Sequence, residues 1–183
     1  HSGQDALSKC MKKYWYSFEH NTQSKRILEI LEKRTDKYEW LNLSKEVLIW
    51  LWKHEKGVWE KWALPYLEAQ VVNIADSIAY ISSDLDDWIK SWIIKFWDLK
   101  NLKIMQLIKN NCNLKSFDRK HLKKIIWNLI NILISELVNN SDEQLRIQNI
   151  KSQEDVSKSK KTIIRYSEDF LVIINQLQKY LFD

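Results

Sequence analysis

The chain has 183 residues, of which 45% are hydrophobic, and carries a net charge of +5. This length and hydrophobicity allow one domain with a real core, which excludes an intrinsically disordered chain. Only 2 glycines and 1 proline interrupt it, and this favours long helices over a turn-rich β fold. The positive charge is spread out and no aromatic residues alternate with it, so nucleic-acid binding is allowed but not indicated. No apolar run is long enough to predict a membrane span.

Apolar residues recur at three- and four-residue spacing, which predicts an all-α fold with no convincing strand. We expect helices over seven stretches: residues 4–14, 19–34, 43–55, 67–86, 98–109, 118–140 and 167–182. Ser44 is the expected N-cap of the third helix. The second helix should turn four apolar residues inward: Ile27, Leu28, Ile30 and Leu31. The segment 140–162 is polar and only weakly periodic.

The cysteines and the first residues of the chain bear on its cellular compartment. Cys10 and Cys112 lack metal-type spacing, and two separate thiols suit the reducing cytoplasm. The chain opens on HSGQDALSK, with neither an initiator methionine nor a signal-peptide pattern. We therefore expect a fragment of a longer cytoplasmic protein.

The stretch LEAQVVNIADSIAYISSDLDDW, residues 67–88, carries Asp76, Tyr80 and Asp84 at four-residue intervals. This spacing places the three side chains on one stripe of a helix. A solvated charged face is the ordinary interpretation of such a stripe. The helix is apolar on most other faces, however, as a central helix would be. An acidic stripe there needs a metal, a cation or a substrate hydroxyl as its partner, so the stripe is a candidate site.

Several segments together resemble the HD-domain deoxynucleoside triphosphate triphosphohydrolases, the dGTPase-like family. PYLEAQVVNIADSIAYISSDLDD is similar to that family's central helix, and four more segments follow the family's order: HSGQDAL, FEHNTQSKRIL, LNLSKEVLIWLWKHEKG and SEDFLVIINQLQKYLF. The resemblance implies an HD-domain helical bundle, with residues 1–139 as a core truncated at its N-terminus and 140–183 as a C-terminal extension of the same domain. Family members hydrolyse a dNTP to a deoxynucleoside and tripolyphosphate, using a metal held by His, His-Asp and a distant Asp.

The resemblance assigns roles to individual residues. Asp76 matches the distant metal ligand, and a carboxylate suits a hard divalent cation. Tyr80 matches the tyrosine that packs on the deoxyribose and leaves little room for a 2′-hydroxyl, and Asp84 matches the carboxylate that binds the 3′-hydroxyl. His1 matches a histidine near the phosphates that acts as an acid toward the leaving oxygen. His20 matches a second active-site histidine of some relatives.

Other polar residues fit the family less closely. Lys53 could meet the triphosphate as a point charge, whereas His54 and His121 are interpreted as exposed or core-edge histidines without a partner. Gln4 stands where relatives usually carry a carboxylate, three residues after the position of His1. Glutamine cannot take a proton, which puts an acid–base relay through this pair in doubt. The remaining metal ligands would lie upstream, so we expect this chain to be inactive by itself.

The implied cofactor is a divalent cation, and Mg, Mn, Fe, Co and Ni all suit a mixed His and carboxylate site. The implied partners are a dNTP substrate and, in the intact protein, further copies of the same chain, with no membrane. Two alternatives stay open. One is an HD phosphohydrolase acting on another nucleotide or a phosphodiester. The other is a non-catalytic helical remnant used for oligomer contacts or nucleic-acid binding, to which Gln4 gives weight.

The chain has 10 tryptophans and 2 glycines, whereas average usage of about 7% predicts roughly 13 glycines. Several tryptophans stand where the resembled family has glycine: Trp40, Trp50, Trp88 and Trp92, with Trp15 and Trp127 as further candidates. Glycine at such positions permits a positive φ or a close helix approach. We hypothesise that UGA codons read as glycine by the cell were translated here as tryptophan, with genuine tryptophan enrichment as the alternative. On this hypothesis we expect overpacking at those positions.

Overall fold

The computed structural model describes residues 2–51, 66–112, 118–159 and 161–182. The regular structure in these ranges is helical throughout, with eight α-helices, a π turn and two 3₁₀ turns. This confirms the all-α prediction. None of the helices in these ranges has the length and apolarity that crossing a membrane requires. The chain divides into two compact units, unit 1 (His1–Leu64) and unit 2 (Pro65–Asp183).

The described part of unit 1 contains three short helices: α1 (Ser2–Lys12), α2 (His20–Arg26) and α3 (Lys45–Leu51). The predicted N-cap of α3 is confirmed, because Oγ of Ser44 accepts a hydrogen bond from the backbone N–H of Val47 at 3.4 Å. These helices are short, and the described residues of unit 1 include no buried apolar side chain. Packing against an apolar core therefore contributes little to this part of the chain.

The second predicted helix changes its pitch halfway. After α2 the chain forms the π turn Ile27–Leu31, closed by a hydrogen bond from the N–H of Glu32 to the carbonyl of Ile27 at 2.8 Å. The wider turn breaks the 3.6-residue register on which the predicted inner side depends. Leu28 is half-buried, but the other three residues assigned inward are exposed, and for them the prediction is wrong: Ile27, Ile30 and Leu31.

The described part of unit 2 contains five helices: α4 (Leu67–Lys90), α5 (Lys103–Cys112), α6 (Leu122–Ile147), α7 (Gln153–Lys158) and α8 (Glu168–Phe182). The 3₁₀ turns Asp98–Asn101 and Arg119–His121 precede α5 and α6. Helix α6 continues beyond its predicted end at residue 140 into the polar segment. The expected boundary between 139 and 140 therefore falls inside a helix, and the division into core and extension stays a prediction.

The buried core lies in unit 2, where α6 packs against α4 and α5, and α8 packs against α4 and α5. The side chains in its centre are inaccessible to solvent: Leu85, Leu99, Ile104, Ile108, Ile125, Leu129, Leu133 and Leu177. Full burial of one such side chain stabilises a fold by roughly 1.5–3 kcal/mol. The apolar spacing of α4 and α6 thus builds the scaffold that presents the acidic stripe.

A buried glutamine fastens the segment before α8 to the start of α4. Gln70 is 3% exposed, and its Oε1 accepts hydrogen bonds from the backbone N–H groups of Ile163 at 2.8 Å and Ile164 at 2.9 Å. Buried N–H groups need such partners, because an unpaired one is as costly as a lost hydrogen bond. Gln70 therefore supplies an acceptor where the chain has no regular structure of its own.

The tryptophans linked to glycine in the sequence are mostly solvent-exposed. Trp15, Trp92 and Trp127 are 98%, 76% and 68% exposed, and Trp40 is 47% exposed. The expected overpacking is wrong at these four positions, because their indoles face water. Trp88 is half-buried against the core, and the side chain of Trp50 lies outside the described residues.

Candidate active site

The acidic stripe lies along α4, opposite the side of that helix that packs into the core. On the core side the buried residues are Ile78, Ile81, Ser82, Leu85 and Ile89, and Ala69 and Gln70 are also buried in the first turn of the helix. On the other side Asp76 is exposed, Tyr80 is 57% exposed and Asp84 is half-buried. The four-residue spacing therefore places the three side chains on one accessible face of a rigid helix, as their spacing predicts.

An aromatic side chain from another helix holds the ring of Tyr80. Phe182, in the last turn of α8, stacks on Tyr80 with 5.2 Å between ring centroids and an angle of 21° between the planes. The same Phe182 ring meets Trp88 edge-on at 5.6 Å and 76°. Aromatic pairs at such separations contribute about 0.5–1.5 kcal/mol beyond burial. Phe182 was not predicted as a site residue, since in the sequence it is only the apolar end of an amphipathic helix.

The hydroxyl of Tyr80 is coupled to the next carboxylate on the stripe. Partial loss of water around the hydroxyl raises the pKa of Tyr80, and the negative charge of Asp84 and a hydrogen bond to its carboxylate raise it further. Tyr80 is therefore a neutral phenol at neutral pH, with its O–H donating to Asp84. The ring of Tyr80 is thus held by stacking on Phe182, and its hydroxyl feels the negative charge of Asp84.

In unit 1, Gln4 and His20 come together. Oε1 of Gln4 accepts a hydrogen bond from the backbone N–H of His20 at 3.1 Å and also bonds Nδ1 of the same imidazole. Oε1 of Glu19 lies 3.4 Å from this ring nitrogen. The pair predicted from sequence, Gln4 with His1, lies partly outside the described residues. Gln4 is thus found as the partner of the other candidate histidine.

These bonds fix which nitrogen of His20 carries the proton in the neutral ring. A backbone N–H can only donate, so the atom of Gln4 that faces it is the amide oxygen. An amide oxygen can only accept, so Nδ1 of His20 must be the donor. In the neutral imidazole Nε2 then carries the lone pair. Gln4 therefore orients His20 without being able to exchange a proton with it.

Of the remaining candidate site residues and histidines, only His121 lies within the described ranges. His1, Lys53 and His54 lie outside the described residues. His121 is a half-buried histidine at the start of α6, and it has a partner that was not predicted: its Nδ1 lies 2.8 Å from Oδ1 of Asp118. The Asp118 carboxylate also accepts from the N–H of Lys120 at 3.0 Å, so this pair caps a helix start.

Asp76 is the residue of the stripe that the resemblance predicts to be a metal ligand. Within the ranges that the structure describes, no three His, Cys, Asp or Glu side chains are grouped so that they could hold a metal ion. A single carboxylate does not hold a divalent cation, which takes six or more oxygen ligands or a set of nitrogen and oxygen donors. The described residues therefore do not fit a complete metal site, and Asp76 can serve only as one ligand of a larger set.

Fold and stripe together define an all-α helical protein with an aromatic and acidic face on its long central helix. No protein-family model matches the chain. Three bacterial relatives, each named deoxyguanosinetriphosphate triphosphohydrolase-like protein, align over nearly all of it. The relative from Rickettsia typhi is 34% identical over 203 residues, that from Rickettsia prowazekii 32% over 200, and that from Geobacter sulfurreducens 30% over 194.

These alignments cover 99%, 99% and 100% of the chain, in the same order, but only 52%, 52% and 50% of the relatives. The chain therefore spans about half the length of the curated relatives it matches. The resemblance indicated by the sequence motifs is confirmed: over nearly its whole length the chain is similar to proteins named dGTPase-like.

Proposed function

We propose that the intact protein is a metal-dependent hydrolase that converts a dNTP to a deoxynucleoside and tripolyphosphate. The observation that carries the proposal is the face of α4, where the ring of Tyr80 is stacked on Phe182 and Asp84 lies one helical turn further along the same face. The names of the relatives support a deoxynucleoside triphosphate as the substrate class. The chain by itself is proposed to be inactive, because the described residues hold no complete metal site.

On this proposal the sugar binds on the Tyr80–Asp84 pair. The tyrosine ring packs against the deoxyribose and occupies the space that a 2′-hydroxyl would need. Asp84 has two carboxylate oxygens, so it can accept the Tyr80 hydroxyl and a sugar 3′-hydroxyl together. Phe182 already restricts the ring of Tyr80. Excluding the ribonucleotide therefore costs little additional side-chain entropy.

The phosphate end of the substrate is assigned to other residues. Asp76 is proposed as one ligand of a divalent cation, with Mg, Mn, Fe, Co and Ni as candidates, and a bound cation would polarise a phosphoryl oxygen and acidify water. With Nδ1 tied to Gln4, His20 would meet substrate through Nε2. His1 is proposed to protonate the leaving oxygen, and Lys53 to contact the triphosphate.

The test uses the intact protein with divalent metal and compares the release of tripolyphosphate from dGTP and GTP. We expect a preference for dGTP that Tyr80→Ala lowers by about tenfold or more, since a filled pocket rejects a larger substrate by 10- to 200-fold. Tyr80→Phe is the matched control, because it keeps the ring on Phe182 and removes only the hydroxyl. Asp84→Asn should weaken binding of both dGTP and GTP. It should change the preference for dGTP over GTP less than Tyr80→Ala does.

Each alternative has its own outcome in this assay. Equal rates with dGTP and GTP, or cleavage of a phosphodiester, would identify a phosphohydrolase with another substrate. An intact protein that releases nothing with any of the candidate metals would contradict the proposal and leave a non-catalytic protein.

A further inference from the structure

Helix α6 ends in a Schellman motif with an ordinary residue at its left-handed position. Asn149 has φ 50°, its N–H bonds the carbonyl of Arg146 at 3.1 Å, and the N–H of Ile150 bonds the carbonyl of Leu145 at 3.0 Å. In this motif the left-handed residue is usually glycine and sometimes asparagine, whose short side chain tolerates the conformation. Asn149 at the end of α6 is therefore one of the residue types usually found at this left-handed position.

Helix α1 closes with the same pair of hydrogen bonds but with a tryptophan at the left-handed position. Trp15 has φ 64°, its N–H bonds the carbonyl of Lys12 at 3.2 Å, and the N–H of Tyr16 bonds the carbonyl of Met11 at 3.2 Å. A bulky residue with positive φ is a genuine outlier, because Cβ crowds the following carbonyl oxygen. The backbone at residue 15 is that of a glycine.

Helix α4 repeats this arrangement. Trp92 has φ 61°, its N–H bonds the carbonyl of Ile89 at 3.3 Å, and the N–H of Ile93 bonds the carbonyl of Trp88 at 3.0 Å. Two of the four non-glycine residues with positive φ in the described ranges are thus tryptophans, and the other two are asparagines. The largest side chain thus stands at two positions whose backbone favours the smallest.

The two indoles recover little through packing. Trp15 is 98% exposed and Trp92 is 76% exposed. Trp92 has the guanidinium of Arg119 at 3.9 Å from its ring centre, but that guanidinium also donates to the carbonyl of Lys90 at 2.8 Å. Arg119 is therefore bound to the end of α4 by a backbone hydrogen bond that does not depend on the indole of Trp92. A buried indole could compensate for a strained backbone, and these two are not buried.

The glycines of the chain stand elsewhere. Gly3 lies inside α1, without a positive φ and with open space around its Cα. In the described ranges the left-handed positions are therefore filled by asparagine and tryptophan and not by glycine. The chain has 10 tryptophans and only 2 glycines. At these two helix ends a tryptophan occupies a position that glycine usually fills.

We infer that residues 15 and 92 are glycine in the protein that its own cell makes, each encoded by a UGA codon which that cell reads as glycine. Both positions then acquire the residue that a Schellman motif prefers, and neither exposed indole needs an explanation. The inference rests on backbone geometry and composition, and it stands whether or not the proposed function is right.

The direct test is to read the codons and the protein from the same native source. Trypsin should release peptides 14–25 and 91–95, and tandem mass spectrometry would distinguish glycine from tryptophan at the second position of each. We expect UGA in the gene and glycine in both peptides. Tryptophan in these peptides, from either UGG or UGA codons, would overturn the inference.

A second test measures the backbone itself in the chain as written. We expect Trp92→Gly to raise the folding equilibrium constant about fivefold or more, because it removes a left-handed non-glycine residue. Trp97→Gly is the matched control: Trp97 is also exposed, at 69%, and has Lys100 Nζ 3.6 Å from its ring centre, but its φ is −68°. Glycine there should lower the folding constant or leave it unchanged. Equal losses in both variants would contradict the strain argument.

Discussion

Tyr166 and Tyr80 show how the same side chain serves two purposes in unit 2. Tyr166 is 7% exposed and tilts against Phe170 with 5.5 Å between ring centroids, and burial raises its pKa to about 12. Tyr80 lies on an accessible face, and its pKa is raised by partial desolvation and then by Asp84. The raised pKa of Tyr166 is a consequence of packing alone, whereas that of Tyr80 also reflects a carboxylate on the candidate site.

The buried hydroxyl of Tyr166 predicts a loss of stability in alkali. Tyrosine titrates near pH 10 in an unfolded chain, so its contribution is fully present below about pH 10 and is lost as the pH rises toward about 12. The difference corresponds to roughly 2–3 kcal/mol. Tyr166→Phe keeps the ring and should lose less unfolding free energy over this range, measured by urea denaturation. The same alkaline loss in both proteins would show that other groups cause it.

At the scale of helices, the junction between α4 and the segment before α8 depends on one side chain. Replacing Gln70 by leucine removes the acceptor of two backbone N–H groups, and each unsatisfied group costs about 1–3 kcal/mol. We expect Gln70→Leu to lower the free energy of unfolding by about 2–5 kcal/mol in chemical denaturation. Gln106→Leu, on the exposed side of α5, is the control and should change it by less than about 0.5 kcal/mol. A small effect of Gln70→Leu would mean that the N–H groups find other partners.

Sequence periodicity predicted the helices well where a core enforces it. Helices α4 and α8 lie close to their predicted bounds, and α6 overlaps most of its predicted stretch, because their apolar stripes are buried in one core. The same reasoning failed at the π turn Ile27–Leu31, where the described part of unit 1 buries no apolar side chain to hold the register. Three- and four-residue spacing of apolar residues predicts a helix because one face of that helix is buried. It is therefore reliable only where a core buries that face.

The candidate site was predictable only along the helix that carries it. The spacing of Asp76, Tyr80 and Asp84 within one helix is a local property, and it placed all three on one face. The contribution of Phe182 and the bond between Gln4 and His20 join segments distant in sequence, so no spacing rule indicates them. Residues 15 and 92 were among the tryptophans assigned to family glycine positions, but the sequence did not indicate which of those positions have a left-handed backbone.

At the scale of the molecule, the buried apolar side chains of the described residues all belong to unit 2. Local opening is governed by such contacts, so we expect backbone amides of α4 and α6 to exchange with deuterium roughly 100-fold or more slowly than those of α1 and α2. Hydrogen exchange followed by mass spectrometry, corrected for intrinsic rates, measures this directly. Similar protection in α2 and α6 would show that unit 1 is stabilised by contacts outside its described residues.

The left-handed closure after α1 has a consequence for where the gene can function. On the inferred decoding, residue 15 is a UGA codon that precedes α2, α3 and all of unit 2. A ribosome that treats UGA as a stop would release its product before any part of the buried core or the stripe on α4 had been made. Transfer of the gene to such a host would deliver a product that lacks unit 2. The inferred UGA codon at this helix end would thus confine the complete protein to organisms that read UGA as an amino acid.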